Sequence, residues 1–226
     1  MLFNRSDVFE ESAKNALAKV KKFADGAEKE IDIYNFISCY VDQSEYSARL
    51  FEISMHALFQ ALSEMFAVDG FLKPLSQMRS ANKKHGNVGD IEVTELEGGM
   101  QITEAWDAKY GKTYLRDELE ELNEKLRDHP ETAIAGFVVN GDPDMRKEII
   151  SRAKEIGEIH DCKIVIQGFQ EWSTVCASRV LQEQRLERAK RWLTAFAESL
   201  CQMRRIQAPI DEPSDAWVKG LIDHIK

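Results

Sequence analysis

Asp107 and Lys109 stand two residues apart at the end of "ITEAWDAK", a run that alternates between apolar and polar residues like a strand. Side chains two residues apart on a strand leave the same face of a sheet, about 6.6 Å apart. Asp90 opens the preceding strand-like run, "DIEVTEL". Two carboxylates beside an amine could hold a divalent cation and act on a phosphate ester.

The two runs form a β-hairpin if the "EGG" between them turns at Gly98–Gly99. Counting outward from that turn places Asp90 opposite Asp107, with Cβ atoms about 4.5 to 5.5 Å apart. Facing carboxylates repel each other unless a positive group lies between them. Because Mg²⁺ prefers carboxylate, water and phosphate oxygens, this register predicts a magnesium site at the two aspartates.

Neighbouring groups could complete such a site. The carbonyl of Ala108 could add a ligand, and Lys109 could hold or activate an attacking water beside a phosphate. A third carboxylate could come from the preceding helix, "EYSARLFEISMHALFQALSEMF". On a helical wheel Glu64 lies between Ile53 and Ala57 on the apolar arc, so Glu64 is the candidate third acid.

Less specific interpretations compete with this one. An isolated Asp-x-Lys is more often an exposed ion pair of little energetic value. Glu92 shares the face of Asp90 and is either a supporting group or a solvated one. The "GKT" at 111–113 is not a phosphate-binding loop, because Trp106 stands where that loop needs its first glycine. No nucleotide-binding glycine motif and no paired-histidine zinc motif occurs in the sequence.

A cationic loop, "SQMRSANKKHGNVG", directly precedes Asp90. Its side chains could contact phosphates and base edges of DNA, and the alternative is a solvated connector. The candidate DNA-binding residues are Arg79, Asn82, Lys83, Lys84, His85 and Asn87. A second basic segment, "RLERAKRWLTAFAESLCQMRR", could be a DNA clamp, a dimer edge or a solubilising surface around a buried apolar stripe.

The totals describe an ordinary globular chain. It has 226 residues, 43% hydrophobic and 31% charged, with no apolar run long enough to span a bilayer. No secretory signal is visible at the N-terminus, so a cytoplasmic, non-membrane protein with free cysteine thiols is expected. The net charge of -9 argues against nonspecific coating of nucleic acid but leaves room for a local DNA-binding face.

The order of elements predicts an α/β fold, a mixed β-sheet flanked by helices with helical N- and C-terminal additions. The hairpin is followed by an acidic helix at 114–128, the buried-strand run "TAIAGFVVN", a helix from Pro143 to about His160, and the run "CKIVIQGF". Further helices are predicted at about 176–205 and 214–225. We expect a single domain over 1–226, with an N-terminal helical extension at 1–45, a core at 46–175 and C-terminal helices at 176–226.

The "GDIEV" at 89–93, the hairpin and the "DAK" at 107–109 resemble the P-D…(D/E)-x-K motif of the restriction-endonuclease-like nuclease superfamily. The resemblance covers residues of about 46–172, whose element order is similar to that family's core. It implies that Asp90 and Asp107 bind the metal and that Lys109 is the catalytic lysine. Gly89 departs from the proline that the motif often has, without touching a ligand.

The resemblance implies a Mg²⁺-dependent endodeoxyribonuclease acting on duplex DNA, and it favours a sequence-specific type II restriction enzyme. A structure-specific repair or recombination nuclease of the same superfamily and a non-catalytic DNA-binding module of the same fold stay open as alternatives. Cutting both strands of a palindrome usually requires a two-fold dimer, so a homodimer is expected.

Overall fold

The computed structural model describes residues 2–75, 86–202 and 212–225, with side chains from residue 7 onward. The helices are α1 (Leu2–Gly26), α2 (Glu30–Gln43), α3 (Ser47–Glu64), α4 (Arg116–Asp128), α5 (Lys147–His160), α6 (Phe169–Ala177), α7 (Arg185–Leu200) and α8 (Ser214–His224). The strands are β1 (Phe71–Leu72), β2 (Ile91–Thr94), β3 (Ile102–Lys109), β4 (Ile134–Val139) and β5 (Lys163–Gly168).

The strands form one mixed sheet in the order β1-β2-β3-β4-β5. β1, β2 and β3 pair antiparallel, whereas β3, β4 and β5 pair parallel. A short turn joins β2 to β3, and the parallel strands are joined through α4 and α5, because parallel neighbours need crossover connections. The predicted α/β fold with a mixed sheet flanked by helices is confirmed.

Three elements differ from the sequence expectation. β1 is a two-residue edge strand for which the sequence predicted no element, because a strand this short shows no alternation and depends on pairing with β2. α6 follows β5 directly and is separate from α7. α5 begins at Lys147 rather than at Pro143, and Arg146 at its N-terminal boundary makes no side-chain capping hydrogen bond.

The chain forms two compact units. The helical unit joins Met1–Met65 to Val180–Lys226, and the α/β unit is Phe66–Arg179. The helical unit holds α1, α2, α3, α7 and α8, while the sheet, α4, α5 and α6 belong to the α/β unit. The sequence boundaries put α3 with the strands, whereas in the structure α3 packs against α7 within the helical unit.

α7, the second basic segment, packs against the other helices of the helical unit. Its buried apolar stripe consists of Trp192, Leu193, Phe196 and Leu200. Three of its basic side chains, Arg188, Lys190 and Arg191, have partners in the same unit, and Arg204 and Arg205 of the basic segment lie outside the described residues. Arg188 is buried and pairs with Glu30 at 2.9 Å, and Lys190 donates to the Asp25 carbonyl at 3.2 Å. Arg188 and Lys190 thus help to join α7 to α2 and α1.

The two faces of the sheet are covered by different helices. The core on the α4 and α5 side contains Ala105, Leu119, Leu122, Phe137, Ile149 and Ile156. On the other side the Trp106 ring meets the Trp172 ring of α6 edge-on, 5.7 Å between centres. Because β3 side chains alternate, Asp107 and Lys109 belong to the α4 and α5 side, where the Lys109 ammonium lies 5.9 Å from the Phe137 ring centre.

Candidate active site

The turn of the β2–β3 hairpin differs from the predicted one. The two-residue turn at Gly98–Gly99 is wrong, because the Gly99 N–H donates to the Leu96 carbonyl at 2.9 Å in a longer turn. The pairing register also shifts between Val93 and Thr94. A bulge of this kind inserts an extra residue into one strand and increases the local twist. The alternation of apolar and polar residues in the sequence does not reveal it.

On the far side of the bulge the register is the one that the simple turn would produce. Ile91 pairs with Trp106, so the next positions outward are Asp90 and Asp107. β2 begins at Ile91, which places Asp90 immediately outside the ladder, in the bend that leads into the strand. Continuing that register by one position would bring Asp90 opposite Asp107, as the sequence predicted, while the ladder itself ends at Ile91 and Trp106.

Asp90 reaches across to β3 through its side chain. Its Oδ2 accepts a hydrogen bond from the backbone N–H of Ala108 at 2.9 Å. The N–H and the C=O of one strand residue point toward the same neighbour, so the Ala108 carbonyl also faces the Asp90 side. The structure thus brings together Asp90, Ala108 and the adjoining residues of β3.

Asp107 and Lys109 form an ion pair at the end of β3, with 2.8 Å between Oδ2 and Nζ. The side chains are only 16% and 21% exposed, respectively, so water screens the pair incompletely. This partial burial distinguishes the pair from the exposed strand-end salt bridge that an isolated Asp-x-Lys would suggest.

Three carboxylates determine the charge state of Lys109. Burial by itself would lower the pKa of Lys109, but the ion pair with Asp107 and the charges of Asp90 and Glu118 outweigh it. The pKa of Lys109 therefore lies above its ordinary value. The amine is a cation at neutral pH and balances a locally acidic site.

Glu118, in the first turn of α4, is an acidic neighbour that the sequence interpretation did not include. One carboxylate oxygen pairs with Lys112, and the side chain is 12% exposed. The other oxygen, Oε2, is buried without a hydrogen-bond partner among the described residues. The available signal was the acidic start of the helix that directly follows the Asp-x-Lys strand.

Glu64, the predicted third acid, lies at the end of α3 in the helical unit. Gln60 donates to its carboxylate at 3.1 Å, and Arg191 approaches it at 3.9 Å. Its side chain is 45% exposed, although its position on the helical wheel suggested burial. A catalytic role for Glu64 stays a prediction.

Gly89 allows the bend before Asp90 to lie against β3. A Cβ atom at this position would be 2.7 Å from the Trp106 carbonyl oxygen and 2.9 Å from its carbon. Those distances are too short for any side chain, including that of proline. Glycine at this position thus has a local steric reason in this chain.

Most of the predicted DNA-binding loop lies outside the described residues. This applies to Arg79, Asn82, Lys83, Lys84 and His85. Asn87 is described and exposed, two residues before the Gly89 bend. The predicted DNA contacts of all six residues stay predictions.

The donor atoms at Asp90, Asp107 and Ala108 are hard oxygens of the type that Mg²⁺ prefers. Asp90 and Asp107 together with the Ala108 carbonyl fit the one-or-two-carboxylate pattern of magnesium sites, and the unsatisfied Glu118 oxygen adds a possible acceptor for a bound water. Among the residues that the structure describes, no group of three or more His, Cys, Asp and Glu is arranged to hold a metal ion.

No protein-family model and no curated protein sequence matches this chain. None of the helices in the described part of the chain combines the length and the apolar character that a bilayer crossing requires.

Proposed function

We propose that this chain is a Mg²⁺-dependent endodeoxyribonuclease of the restriction-endonuclease-like fold, hydrolysing phosphodiester bonds in duplex DNA as a type II restriction enzyme. The observation that carries the proposal is the convergence at the end of β3. There the Asp90 carboxylate is hydrogen-bonded to Ala108, beside the partly buried ion pair of Asp107 and Lys109. A mixed sheet with this pair on the face covered by α4 and α5 supports it further.

Each residue has a distinct role in this proposal. Asp90 and Asp107, with the Ala108 carbonyl, would hold Mg²⁺, which supplies Lewis-acid polarisation of the phosphate and a more acidic bound water. Lys109 places a fixed positive charge where negative charge develops on the phosphate. Glu118 offers its unsatisfied oxygen to a water molecule. In the overall reaction water adds to phosphorus, one ester bond breaks, and the departing oxygen takes up a proton.

The loop that contains Arg79, Lys83 and Lys84 would hold the DNA backbone, with Asn82, His85 and Asn87 available for base contacts. A palindromic site would be cut by a homodimer, because the two-fold symmetry of the protein then matches that of the DNA. Light scattering of the purified protein with and without DNA measures this assembly. A monomer in both states would contradict the homodimer.

Plasmid digestion tests the function. We expect discrete bands with Mg²⁺ and none with EDTA, and Asp107→Ala or Lys109→Ala should lower cleavage about 100-fold or more while the circular dichroism spectrum is unchanged. The matched controls are Glu97→Ala on the exposed hairpin turn and Lys154→Ala on α5, which should both cut like wild type.

Other outcomes separate the alternatives. Cutting confined to junctions, flaps or other irregular DNA would indicate a repair or recombination nuclease. Tight DNA binding without cutting by wild type, across Mg²⁺, Mn²⁺ and Ca²⁺, would indicate a non-catalytic module. Near-normal digestion by both site variants would remove Asp107 and Lys109 from the mechanism.

A further inference from the structure

Glu92 is a buried carboxylate in β2, with its side chain only 3% exposed. Burying a carboxylate is unfavourable unless other groups pair with it. Both of its oxygens have partners. Oε2 accepts from the Lys73 ammonium at 2.6 Å, and Oε1 accepts from the backbone N–H groups of Val88 at 2.6 Å and Gly89 at 3.2 Å. The carboxylate is therefore neither solvated nor unsatisfied.

The backbone partners of Glu92 are the two residues that immediately precede Asp90. A single carboxylate oxygen that receives both N–H groups restricts the backbone of the bend, because both peptide planes must point back toward β2. Gly89 is at the same time pressed against the Trp106 backbone. The backbone that leads into Asp90 is thus restrained both by the hydrogen bonds to Glu92 and by the contact of Gly89 with Trp106.

Lys73 connects the edge of the sheet to the same bend. Its backbone N–H donates to the Glu92 carbonyl at 2.9 Å, next to the pairing of β1 with β2, and its ammonium balances the Glu92 charge. The Lys73 side chain is 35% exposed, so the Glu92 end of the ion pair is buried and the Lys73 end is in contact with solvent.

We infer that Glu92, with Lys73, is a positioning residue that holds the Asp90 carboxylate at Ala108, where the proposed function requires it to bind a cation. Glu92 does not itself contact the cation or the DNA in this assignment. It acts through the Val88 and Gly89 N–H groups, and its neutralisation should release Asp90 from β3. The inference deepens the proposed function and depends on it only for the consequence in cation binding.

The chain offers a matched control on the neighbouring strand. Glu104 is also buried, accepts from Arg179 at 2.9 Å and from the Trp106 indole at 2.7 Å, and belongs to the side of the sheet facing α6. Glu104→Gln neutralises a buried, ion-paired glutamate just as Glu92→Gln does, but Glu104 accepts from Arg179 and the Trp106 indole and not from the Val88 and Gly89 N–H groups of the bend. Any general cost of losing a buried charge pair is common to both variants.

Amide hydrogen exchange of the full chain without metal is the first measurement, because the Ala108 N–H is bonded to Asp90. We expect Ala108 to exchange about tenfold faster or more in Glu92→Gln than in Glu104→Gln, when each is referenced to the Ala105 amide of the same strand. Equal Ala108 exchange in the two variants would overturn the positioning role. If Glu92→Gln does not fold, Lys73→Met is measured against the same control and decides by the same criterion.

Titration with Mn²⁺, followed by calorimetry, is the second measurement. Removing a group that orients a metal ligand typically costs about 10- to 100-fold in affinity, so Glu92→Gln should bind Mn²⁺ at least about tenfold more weakly than Glu104→Gln. Equal affinities would overturn the inference. A wild type that binds no Mn²⁺ at all would overturn the proposed function instead, and the Ala108 exchange would still decide whether Glu92 positions Asp90.

Discussion

At the residue scale, the site concentrates negative charge around one cation. Asp90, Asp107 and Glu118 all act on Lys109, and together they outweigh the cost of its burial and hold the pKa of Lys109 above its ordinary value. Carboxylates outnumber amines in this arrangement. A purely structural ion pair would need only one carboxylate for one amine. The proposed divalent cation would neutralise this excess.

Glu118→Gln tests whether that excess includes α4. The substitution keeps the shape of the side chain but removes its charge, so we expect Mg²⁺-dependent cleavage to fall about tenfold or more. Glu121→Gln is the matched control, because Glu121 lies on the same helix, is 47% exposed and pairs only one turn away with Lys125. Cleavage rates measured on linear DNA compare the two.

The same assay applied to Glu64→Gln tests the acid that the sequence favoured. Wild-type cleavage by Glu118→Gln, together with a large loss in Glu64→Gln, would assign the third carboxylate to α3. A loss in Glu118→Gln alone would assign it to α4.

At the element scale, the β2–β3 hairpin determines where Asp90 lies. The bulge at Val93 and Thr94, the longer turn and the glycine bend together keep Ile91 opposite Trp106. The hairpin therefore has the expected register at Ile91 and Trp106, although its turn and its bulge differ from the predicted two-residue turn. The hairpin tolerates substitution least at Gly89, because an added Cβ would meet the Trp106 backbone, which cannot move aside as a side chain could.

Gly89→Ala should destabilise the protein by about 2 kcal/mol, because its Cβ would overlap the Trp106 backbone and force the bend away from β3. For a unit of this size the melting temperature should fall by roughly 10 °C, measured by circular dichroism. Gly141→Ala is the control, since a Cβ there meets nothing within 4 Å, and its effect should stay within about 0.5 kcal/mol. Equal melting temperatures for the two variants would contradict the steric assignment.

At the scale of the whole molecule, the chain begins and ends in the helical unit and forms the α/β unit between. All four cysteines lie within the described residues, and of them only Cys39 is exposed. Cys162 and Cys176 belong to the α/β unit, and Cys201 to the helical unit. The thiols therefore report on each unit separately.

Thiol labelling at pH 8 should modify Cys39 alone in the native protein. Burial raises the pKa of Cys162 to about 11, and burial raises that of Cys201 to about 11. About one molecule in a thousand would carry the thiolate at pH 8 even if the thiol were accessible, and the fraction grows only as the pH approaches 11. Mass spectrometry after a short maleimide pulse counts the labels.

The same labelling in increasing urea separates the units. If they unfold independently, Cys201 becomes reactive at a urea concentration different from that of Cys162 and Cys176, which should become reactive together. Simultaneous exposure of all three buried thiols would show a single cooperative transition. Rapid native labelling of Cys162 would contradict its burial.

The sequence by itself determined the features that repeat over a few residues. Alternation along β3 places Asp107 and Lys109 on one face, apolar runs indicate β4 and β5, and helical spacing identifies the buried stripe of α7. Local periodicity reports these features because side-chain direction depends only on the backbone of the same element. The mixed α/β sheet follows from the order in which such elements occur.

Tertiary structure alone decided which distant groups meet at the site. The approach of Glu118, the burial of Glu92, the hydrogen bond from Ala108 to Asp90 and the membership of α3 in the helical unit all depend on how elements pack. Packing depends on the shapes of surfaces that are far apart in the chain, and a helical wheel of α3 cannot show that Glu64 stays exposed at its end. Side-chain periodicity therefore identified Asp107 and Lys109 on β3, while only packing showed that Glu118 of α4 lies near Lys109.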